Sequence, residues 1–377
     1  MGNKPRIRFK GFTEDWEQCK LGEFVNIVSG DAPSTFISGN CIYVKVDDLN
    51  YSDRIQLSSS NLVNANPKAH LVNTGATIFP KRGAAIMTNK VRIMGQDGYL
   101  DTNMMALIPK EIDKDFLFTF IQKTGLYKIS DTSTIPQINN KHIEPYMIQV
   151  PTNKEQECIG VFFEKIDKII TLHQCKLEKL KLTKKALLQK LFPKNGKHIP
   201  EIRFKGFTDA WEQRKLGDLA EIVRGASPRP ISDPKWFDNN SNVGWLRIAD
   251  VTAQDGRIRY LEQKISELGQ EKTRVIKTPH LLLSIAATVG KPVINYVPTG
   301  VHDGFLIFLN PKFNILYTFW WLEMFREKWN KYGQPGSQVN LNSDLVKNQV
   351  INIPNEKEQE KISSFLEALD KIITLHQ

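Results

Sequence analysis

The chain has 377 residues, of which 41% are hydrophobic and 24% charged, and its formal net charge is +10. This composition is typical of a globular protein and excludes wholesale disorder. No stretch approaches the roughly 18 uncharged apolar residues of a membrane-spanning helix, and the first residues lack the apolar core of a signal peptide. The four cysteines form no CxxC pair, which excludes zinc ribbons and favours a reduced, cytoplasmic protein.

The chain opens with a segment that returns almost unchanged in its second half. Residues 5–30 and 200–225 are identical at 17 of 26 positions when they are aligned at an offset of 195. Both copies carry Ile-Arg-Phe-Lys-Gly-Phe-Thr and then Trp-Glu-Gln, with the tryptophans at Trp16 and Trp211. A period near 200 residues indicates duplicated domains. We expect both tryptophans to be packing anchors, with a surface for a partner protein as the alternative.

A first block, residues 31–150, follows the opening segment and is predicted to be mixed α/β. Short alternating runs at 41–46 and 91–94 predict strands, and residues 116–124 predict a helix. Clusters of glycine, asparagine, aspartate and proline separate these runs, as turns do.

A long amphipathic helix is predicted after this block. Thr152 and Glu155 have the spacing of a capping box, and apolar residues then recur in alternating steps of three and four, which is typical of a coiled-coil seam. The 39 residues from Lys154 to Phe192 would span about 58 Å at 1.5 Å per residue. The predicted seam residues are Ile166, Ile169, His173, Leu177 and Leu180.

The second block, residues 226–353, has diverged from the first almost beyond recognition. Faint echoes remain, since 245–251 matches 43–49 in pattern. A strand is predicted at 243–248 and a helix at 316–329.

The second block is followed by a second copy of the helix. Residues 353–377 match residues 150–174 at 16 of 25 positions, and this copy is shorter than the first. Its predicted seam residues are Leu369, Ile372 and His376. The duplicated histidines could be ligands, but one polar layer that sets the coiled-coil register is the favoured interpretation.

We expect the two helices to pair antiparallel, because opposite charges then meet. The lysine-rich end of the first helix would lie beside the acidic start of the second. The residues concerned are Lys181, Lys184, Lys185 and Lys190 with Glu356, Glu358 and Glu360.

No catalytic or metal site is visible in the sequence. There is no Asn-Pro-Pro-aromatic run and no glycine-rich loop after a strand, so a methyltransferase site is not predicted, and there is no GxxxxGK[ST] phosphate loop. Asp47 and Asp48 form a carboxylate pair, but neighbouring strand residues point to opposite faces. A structural role at a turn or strand end is therefore favoured for this pair.

Polar and basic residues in the two blocks are the candidates for DNA contact. Arginine and lysine can pair with guanine or hold phosphate, and asparagine can pair with adenine. The first block offers Lys45, Lys81, Arg82, Lys90, Arg92 and Asn139. The second block region offers Arg224, Arg229, Arg247, Arg257, Arg259, Arg274, Lys291 and Asn342. Taken singly, each of them is more often an ordinary surface charge.

The order of these elements resembles the specificity subunit of type I restriction–modification systems. The matching elements are Ile7–Glu23 with Ile202–Asp218, and Ile148–Gln156 with Ile351–Gln359. The resemblance covers the whole chain and implies a pseudo-two-fold symmetric, mixed α/β fold. Two target-recognition domains would be separated by two long helices that form an antiparallel coiled coil. The predicted boundaries are 1–150 and 198–353 for the domains, and 151–197 and 354–377 for the helices.

The resemblance also implies a function and a set of partners. Each block would read one half of a bipartite double-stranded DNA target, and the coiled coil would fix the half-site separation. The repeated regions would dock two modification subunits, which bind S-adenosylmethionine and methylate adenine. Restriction subunits would join them and use ATP and magnesium, while this chain would bind no cofactor and catalyse no reaction.

Two other interpretations belong to different classes of protein. A two-lobed protein–protein adaptor would share the duplication and the coiled coil. A stand-alone DNA enzyme is the weakest alternative, because the motifs of such enzymes are missing from the sequence.

Overall fold

The computed structural model of the chain describes residues 5–131, 133–194, 196–285, 288–332 and 341–376, with the backbone alone at 330–332. The chain divides into two compact units, residues 1–175 and 176–377. The division falls inside one long helix, so the first unit contains the start of that helix and the second unit contains its end.

The first unit has a central sheet covered on both faces. Its strands are β1 (Glu17–Lys20), β2 (Val25–Ser29), β3 (Ser38–Val44), β4 (Ile55–Gln56), β5 (Leu62–Val63), β6 (Thr77–Pro80), β7 (Arg92–Met94), β8 (Gly98–Leu100), β9 (Met104–Pro109) and β10 (Met147–Val150). Its helices are α1 (Leu21–Phe24), α2 (Lys114–Thr124), α3 (Leu126–Ile129), α4 (Asn140–Ile143) and the start of α5 (Asn153–Lys190). The central sheet has the order β2-β9-β6-β7-β4, and a smaller sheet has the order β5-β3-β8.

Strand β9 shows how the two faces of the central sheet are filled. Met104 and Ala106 lie in the core beneath the smaller sheet, whereas Met105 and Leu107 lie in the core formed with α2, α3 and α4. Successive strand residues point to opposite faces. Because both faces are covered, this strand is a continuous apolar run without polar alternation.

The second unit repeats this architecture with different residues. Its strands are β11 (Glu212–Lys215), β12 (Glu221–Arg224), β13 (Gly244–Trp245), β14 (Arg257–Ile258), β15 (Arg274–Ile276), β16 (Leu281–Ser284), β17 (Pro292–Asn295), β18 (Thr299–Val301), β19 (Phe305–Leu309) and β20 (Val350–Ile353). Its helices, besides the end of α5, are α6 (Leu216–Leu219), α7 (Ile248–Ala253), α8 (Glu267–Gln270), α9 (Ile315–Phe325), α10 (Ser343–Lys347) and α11 (Glu356–Thr374). The sheets have the orders β12-β19-β16-β17-β14 and β13-β18-β15.

The two blocks therefore share one fold. In β19, Phe305 and Ile307 face one core while Leu306 and Phe308 face the other, as in β9. Two predicted boundaries differ from the structure. The predicted strand 243–248 is only two residues long, because α7 begins at Ile248. The predicted helix 316–329 ends as an α-helix at Phe325 and continues as a 3₁₀ turn over 326–332.

The repeated opening segments form the base of each unit. Strand β1 pairs antiparallel with β10, and β11 pairs with β20 in the same way, with Gln18 opposite Gln149 and Gln213 opposite Asn352. Since β10 and β20 lead directly into α5 and α11, these two-stranded sheets join each opening segment to its long helix. The repeated sequence is therefore the scaffold that carries each block.

The second long helix begins as the duplication indicates. Asn355 caps α11 and accepts a hydrogen bond of 3.0 Å from the Glu358 amide. Near the end of α5, the Phe192 ring lies 5.4 Å from Tyr317, whose hydroxyl donates to the carbonyl of Asn352, just before α11. These contacts place the end of α5 beside the start of α11.

The end of α5 runs antiparallel to α11 within the second unit. Lys184, two turns before Phe192, forms an ion pair with Asp370, near the far end of α11. The expected contact of Lys184 with the acidic start of α11 is therefore wrong. Lys184 pairs with Asp370 further along α11, and Glu358 at the start of α11 pairs with Arg203. The repeat's last residue, Gln377, lies outside the described residues.

Candidate nucleic-acid interface

Four of the arginines predicted to contact DNA converge at one end of the second unit's sheets. Arg224 ends β12, Arg247 follows β13 and Arg274 begins β15. Pairing of β12 with β19, and of β13 and β15 with β18, brings these strand ends together. Arg229 lies in the loop after β12, and Asp303 lies in the turn between β18 and β19.

Asp303 is the centre of this arginine cluster, which we define as Arg224, Arg229, Arg247 and Arg274. Arg229 Nη2 donates to Asp303 Oδ2 over 2.7 Å, and Arg224 Nε donates to the Asp303 carbonyl oxygen over 2.6 Å. Arg274 Nε donates to the Arg224 carbonyl oxygen over 2.8 Å. Arg229 and Arg247 also line an open cleft of about 260 Å³ beside Asp303. The fold thus gathers residues up to 79 positions apart in the sequence.

Arg247 is the most firmly held member of the cluster. Its amide donates to Asp250 Oδ2 over 2.9 Å and its Nη2 donates to Oδ1 over 2.8 Å. The hydrogen bond to Asp250 raises the pKa of the Arg247 guanidinium above its ordinary value. The first unit has the same cap, because the Lys45 amide donates to Asp48 Oδ2 over 2.8 Å. Asp48 is buried and caps a turn, so the structural interpretation of the Asp47-Asp48 pair fits.

The Arg257 side chain is engaged inside its own unit, and an arginine of the first unit is engaged in the same way. Its guanidinium lies 3.8 Å from the Phe319 ring centroid and is ion-paired with Glu367 of α11. Arg54, which stands 203 residues earlier, is ion-paired with Asp115 at 2.7 Å and with Asp167 of α5. Each arginine therefore fastens its unit to a long helix. The Arg257 guanidinium is thus occupied within its own unit, which disfavours a DNA contact.

Lys291 and Arg92 are also occupied inside their units. Lys291 is 9% exposed, and its ammonium lies 2.5 Å from carboxylate oxygens of Asp255 and Glu323. Arg92 donates to the carbonyl oxygens of Leu49, Ser52 and Val91. Burial lowers the pKa of Arg92.

The other basic candidates lie closer to the surface. Arg259 is exposed and its guanidinium lies 4.9 Å from the Tyr296 ring centroid. Arg82 is exposed, while Lys81 beside it is half-buried. Burial, and then the charge of Arg82, lowers the pKa of Lys81. Lys90 donates a hydrogen bond to the side chain of Asn50.

The two candidate asparagines cap short helices. The Asn342 side chain accepts a hydrogen bond of 2.9 Å from the Leu345 amide at the start of α10. Asn139 caps α4, and its amide donates to His142 Nδ1 over 3.1 Å. Both residues are exposed. The Asn342 carboxamide already satisfies a helix end, which competes with any contact to a base.

The first unit presents hydrogen-bond acceptors where the second presents arginines. Tyr43 corresponds in pattern to Trp245, and its hydroxyl donates to the Asp31 carbonyl oxygen over 2.7 Å. Asp31 Oδ1 lies 2.9 Å from Nδ1 of His70, a largely exposed side chain. Asp101, at the end of β8, accepts from the Asn103 amide and carboxamide, each over 2.9 Å. The two units therefore share a fold but differ in the chemistry of this end.

A second pair of features lies in the repeated segments. Arg8 Nε and Nη2 donate to the buried Glu155 at 2.7 and 2.6 Å, which fixes the opening segment to the start of α5. Phe9 packs edge-on against Phe162 of α5 with ring centroids 5.6 Å apart. Ile7 beside them is 90% exposed. We call the exposed residues Ile7, Phe9, Phe162 and Phe163 the first patch.

The second unit carries the same arrangement. Arg203 Nε and Nη2 each donate to Glu358 over 2.8 Å. Phe204 packs edge-on against Phe365 with ring centroids 5.6 Å apart, and Ile202 is 40% exposed. We call Ile202, Phe204 and Phe365 the second patch. Large exposed apolar side chains that cluster in this way mark interaction sites.

The predicted seam residues of the two helices differ in burial. Ile169 and Ile372 are more than two-fifths exposed, and His173 is exposed. The half-buried seam residues are Ile166, Leu177, Leu180, Leu369 and His376.

The repeated tryptophans pack within their own units. Trp211 is buried, with its ring 6.0 Å from Tyr317, and Trp16 is half-buried, with its ring 6.1 Å from Phe116. These contacts fit packing anchors and leave little of Trp211 for a partner.

Sequence reasoning identified the arginines but missed the residues that organise them. Asp303, Ser227 and Asp31 were not singled out. A serine or aspartate in a loop gives no signal by itself, and their role depends on strand pairing over tens of residues. Among the described residues, no group of three or more His, Cys, Asp or Glu could hold a metal ion. No helix of the described chain is long and apolar enough to cross a membrane.

The fold defines a protein of two repeated mixed α/β units, which share one scaffold and differ in the chemistry of the same sheet end. Comparison with known proteins gives the class a name. The family model described as "Type I restriction modification DNA specificity domain" matches residues 13–182 and again residues 208–377. The type I restriction enzyme MjaVIII specificity subunit of Methanocaldococcus jannaschii is 23% identical over 388 residues, covering 96% of this chain and 88% of that protein.

Solved structures share the fold. The S subunit of a type I restriction–modification system from M. genitalium matches with a TM-score of 0.60 at 11% identity, covering 99% of this chain and 93% of that one. A chain from a study of assembly and conformational transition in the type I R-M system matches with a TM-score of 0.60 at 15% identity, covering 98% and 93%. The HsdS subunit of Thermoanaerobacter tengcongensis gives 0.51 at 17% identity, covering 100% and 93%.

The chain belongs to the type I restriction modification DNA specificity family and carries two copies of its domain. It is the DNA specificity subunit of a type I restriction–modification system, a component that is not itself catalytic.

Proposed function

We propose that the two blocks read different halves of a bipartite double-stranded DNA target and that the two patches each dock one modification subunit. The observation that carries this proposal is the contrast between scaffold and blocks. The opening segments match at 17 of 26 positions, whereas the blocks differ even where their folds coincide. Identical scaffolds suit identical partners related by pseudo-symmetry, and different surfaces suit different sequences.

Basic residues whose side chains are exposed or half-buried supply the DNA side of the proposal. In the second unit these are the arginine cluster and Arg259, and in the first unit they are Lys45, Lys81 and Arg82, with Lys90 and the caps Asn139 and Asn342 as further contacts. Cationic side chains position the protein on phosphate, and those that reach base edges supply specificity. Few charges lie on each surface, so partner subunits would add phosphate contacts and strengthen binding.

The patches supply the protein side of the proposal. Both lie where an opening segment meets the start of a long helix, and both are fixed by a buried arginine–glutamate pair. The docked modification subunits would bind S-adenosylmethionine, flip the target adenine out of the duplex and methylate it. Restriction subunits would join this complex with ATP and magnesium. The complex would work in the cytoplasm, where its DNA lies.

The long helices would set the distance between the half-sites. Helix α5 is continuous over 38 residues and contributes to both units. Its exposed seam residues, with His173 and His376, would pair in the coiled coil. A reader with two-fold pseudo-symmetry is expected to want half-sites about one helical turn, roughly 34 Å, apart.

The proposal is tested by the methylation pattern of cells that express this chain with its modification subunit. Single-molecule sequencing should show a bipartite, asymmetric motif with methylated adenine that disappears without this chain. Exchange of residues 226–353 for the block of another specificity subunit should change one half of the motif only. A motif that changes in both halves, or no motif at all, would contradict the division of labour.

Docking is tested separately, because Ile7 and Ile202 are exposed and their replacement should not unfold the chain. We expect the wild-type chain to bind two modification subunits, the variants Ile7→Glu and Ile202→Glu to bind one, and the double variant to bind none. Ile37→Glu is a matched control, since Ile37 is 73% exposed but lies in the first block. Mass photometry measures the stoichiometry, and two bound subunits in the double variant would refute the patch assignment.

The alternative of a protein–protein adaptor without DNA specificity does not fit a chain that carries two copies of a DNA specificity domain. We expect the assembled complex to bind one bipartite duplex in a salt-sensitive manner and to bind no scrambled duplex.

A further inference from the structure

The arginine cluster contains one side chain whose setting is that of a base reader. Arg229 is 71% exposed, yet its Nη2 is anchored at 2.7 Å to Asp303 Oδ2. Within the described residues, its Nε and Nη1 have no hydrogen-bond partner. An anchored guanidinium loses less rotamer freedom on binding than a free one. Nη2 carries a second N–H, which forms a two-donor edge with Nε or with Nη1. This edge of Arg229 is free and is presented to an incoming ligand in a restricted orientation.

Asp303 is itself fixed before any ligand arrives. Ser227 Oγ donates to Asp303 Oδ1 over 2.8 Å, and the Asp303 amide donates back to Ser227 Oγ over 3.3 Å. Burial alone would raise the pKa of Asp303, but the bond from Ser227 and the charges of Arg229, His302 and Arg224 outweigh it, so this pKa is lowered. The carboxylate stays ionised near neutral pH and can hold the arginine.

The other arginines of the cluster are less suited to reading a base. Arg224 and Arg274 each donate Nε to a backbone carbonyl. Arg247 is held by the Asp250 carboxylate through both Nε and Nη2, at 3.1 and 2.8 Å. Arg224 and Arg274 are exposed and stay available to hold phosphate, whereas Arg247 lines the cleft with its charge already paired to Asp250 and Glu262.

The chemistry of the free edge selects the base. A guanidinium edge offers two parallel N–H donors, which match O6 and N7 of guanine in the major groove. Adenine offers one acceptor and one donor there, so its amino group would oppose the second N–H. The remaining cleft wall, which includes Trp245, Ile248 and Ile231, offers no competing anion.

We propose that Arg229 reads a guanine in the half-site of the second block and that Asp303, anchored by Ser227, is the residue that positions it. This inference rests on the proposed function, because it assumes that the second block reads DNA. At the corresponding end of the first unit, the described residues are Asp31, His70 and Asp101 rather than an exposed arginine held by a carboxylate. The guanine contact should therefore belong to one half-site only.

The test uses the complete methyltransferase, this chain with its modification subunits, and reads methylation over a library of half-site variants. In wild type, one guanine position of the second half-site should be strongly required. Arg229→Ala should relax that position by roughly 5- to 150-fold and leave the other positions unchanged. Arg229→Lys should not restore it, because lysine lacks the two-pronged edge.

Asp303→Asn tests the positioning role through the base position that it relaxes, because a general loss of stability would not relax one position alone. It should relax the same single position, by less than Arg229→Ala, while the thermal unfolding of the variant stays close to that of wild type. Arg214→Ala is the control, because Arg214 is an exposed arginine beside Glu212 on the repeated scaffold. This control should leave every position unchanged.

Three outcomes would overturn the inference and are distinct from failure of the proposed function. A wild-type second half-site without a required guanine would refute it, as would uniform weakening at all positions in Arg229→Ala, which indicates a phosphate contact. Relaxation of a different position in Asp303→Asn would refute the positioning role. Failure of the proposed function would appear earlier, as a wild-type complex with no bipartite motif.

Discussion

Replacing Glu358 with glutamine should destabilise the second unit strongly and leave the first unit unchanged. Glu358 is fully buried at the start of α11 and accepts two hydrogen bonds of 2.8 Å from Arg203. Its charge also adds to burial in raising the pKa of the buried Tyr317 hydroxyl. A glutamine in its place would leave the Arg203 guanidinium without an anion at a largely buried position.

The size of the effect follows from this burial. Removal of one partner of a buried ion pair costs about 3–5 kcal/mol. Arg203 keeps an edge in water, with 13% of its side chain exposed, so we take the low end, about 3 kcal/mol. With a urea m-value of about 2 kcal/mol per molar, the unfolding midpoint should fall by about 1.5 M.

Tryptophan fluorescence during urea unfolding measures this shift in the right unit. Of the seven tryptophans, only Trp16 lies in the first unit, so the signal reports almost entirely on the second. The matched control Glu155→Gln breaks the equivalent pair in the first unit and should leave the fluorescence midpoint unchanged. The double variant Arg203→Met with Glu358→Met should recover most of the loss. A midpoint shift below about 0.3 M in Glu358→Gln would refute the reasoning.

The other predictions concern recognition, the ruler and pH. Arg257→Ala should lower the free energy of unfolding by about 2–3 kcal/mol, because it loses a partly buried ion pair and an aromatic contact. Arg259→Ala should instead weaken recognition of one half-site and leave the urea midpoint unchanged. The reverse pattern would contradict the roles given to these two arginines. One extra helical turn inserted after His173 should change the preferred spacer in the methylation motif, and an unchanged spacer would sink the ruler proposal. Burial lowers the pKa of His302 below 6.5 despite the neighbouring carboxylate, so the unfolded chain binds more protons than the folded one. The free energy of unfolding should therefore fall as pH falls through 6.5, by at most about 1.4 kcal/mol per pH unit. A His302→Gln variant whose urea midpoint changes with pH in the same way as that of wild type, from pH 7.5 to 5.5, would contradict this assignment.

Much of the architecture could be read from the sequence, because duplication is a global signal. Two near-identical segments around two diverged blocks predicted two domains of one fold, and the structure confirms that fold. The helix period was strong enough to predict α5 and its shorter copy, and the charges of the two helices predicted that they pair antiparallel. Strands such as β9 and β19 gave no alternating pattern, because cores on both faces make every position apolar.

The burial of individual arginines could not be predicted from the sequence. Arg257 and Arg259 are two residues apart and looked equivalent as DNA candidates, yet one is clamped between Phe319 and Glu367 and the other is exposed. The comparison of Arg54 with Arg257 across the repeat could have revealed the difference. It needed an alignment of the two diverged blocks that the sequence alone did not provide.

The duplication, the long helices and the division into a constant scaffold and variable blocks follow from the sequence, and they indicate the class of protein. These features depend on local periodicity and on identity between repeated segments, which are visible without a structure. Which charged side chains stay exposed and which are paired inside a unit follows from the folded structure. Arg229 and Asp303 lie 74 residues apart and meet because the strands that precede and follow them pair across the sheets. Availability depends on the partner that each side chain finds in space, and strand pairing sets that partner.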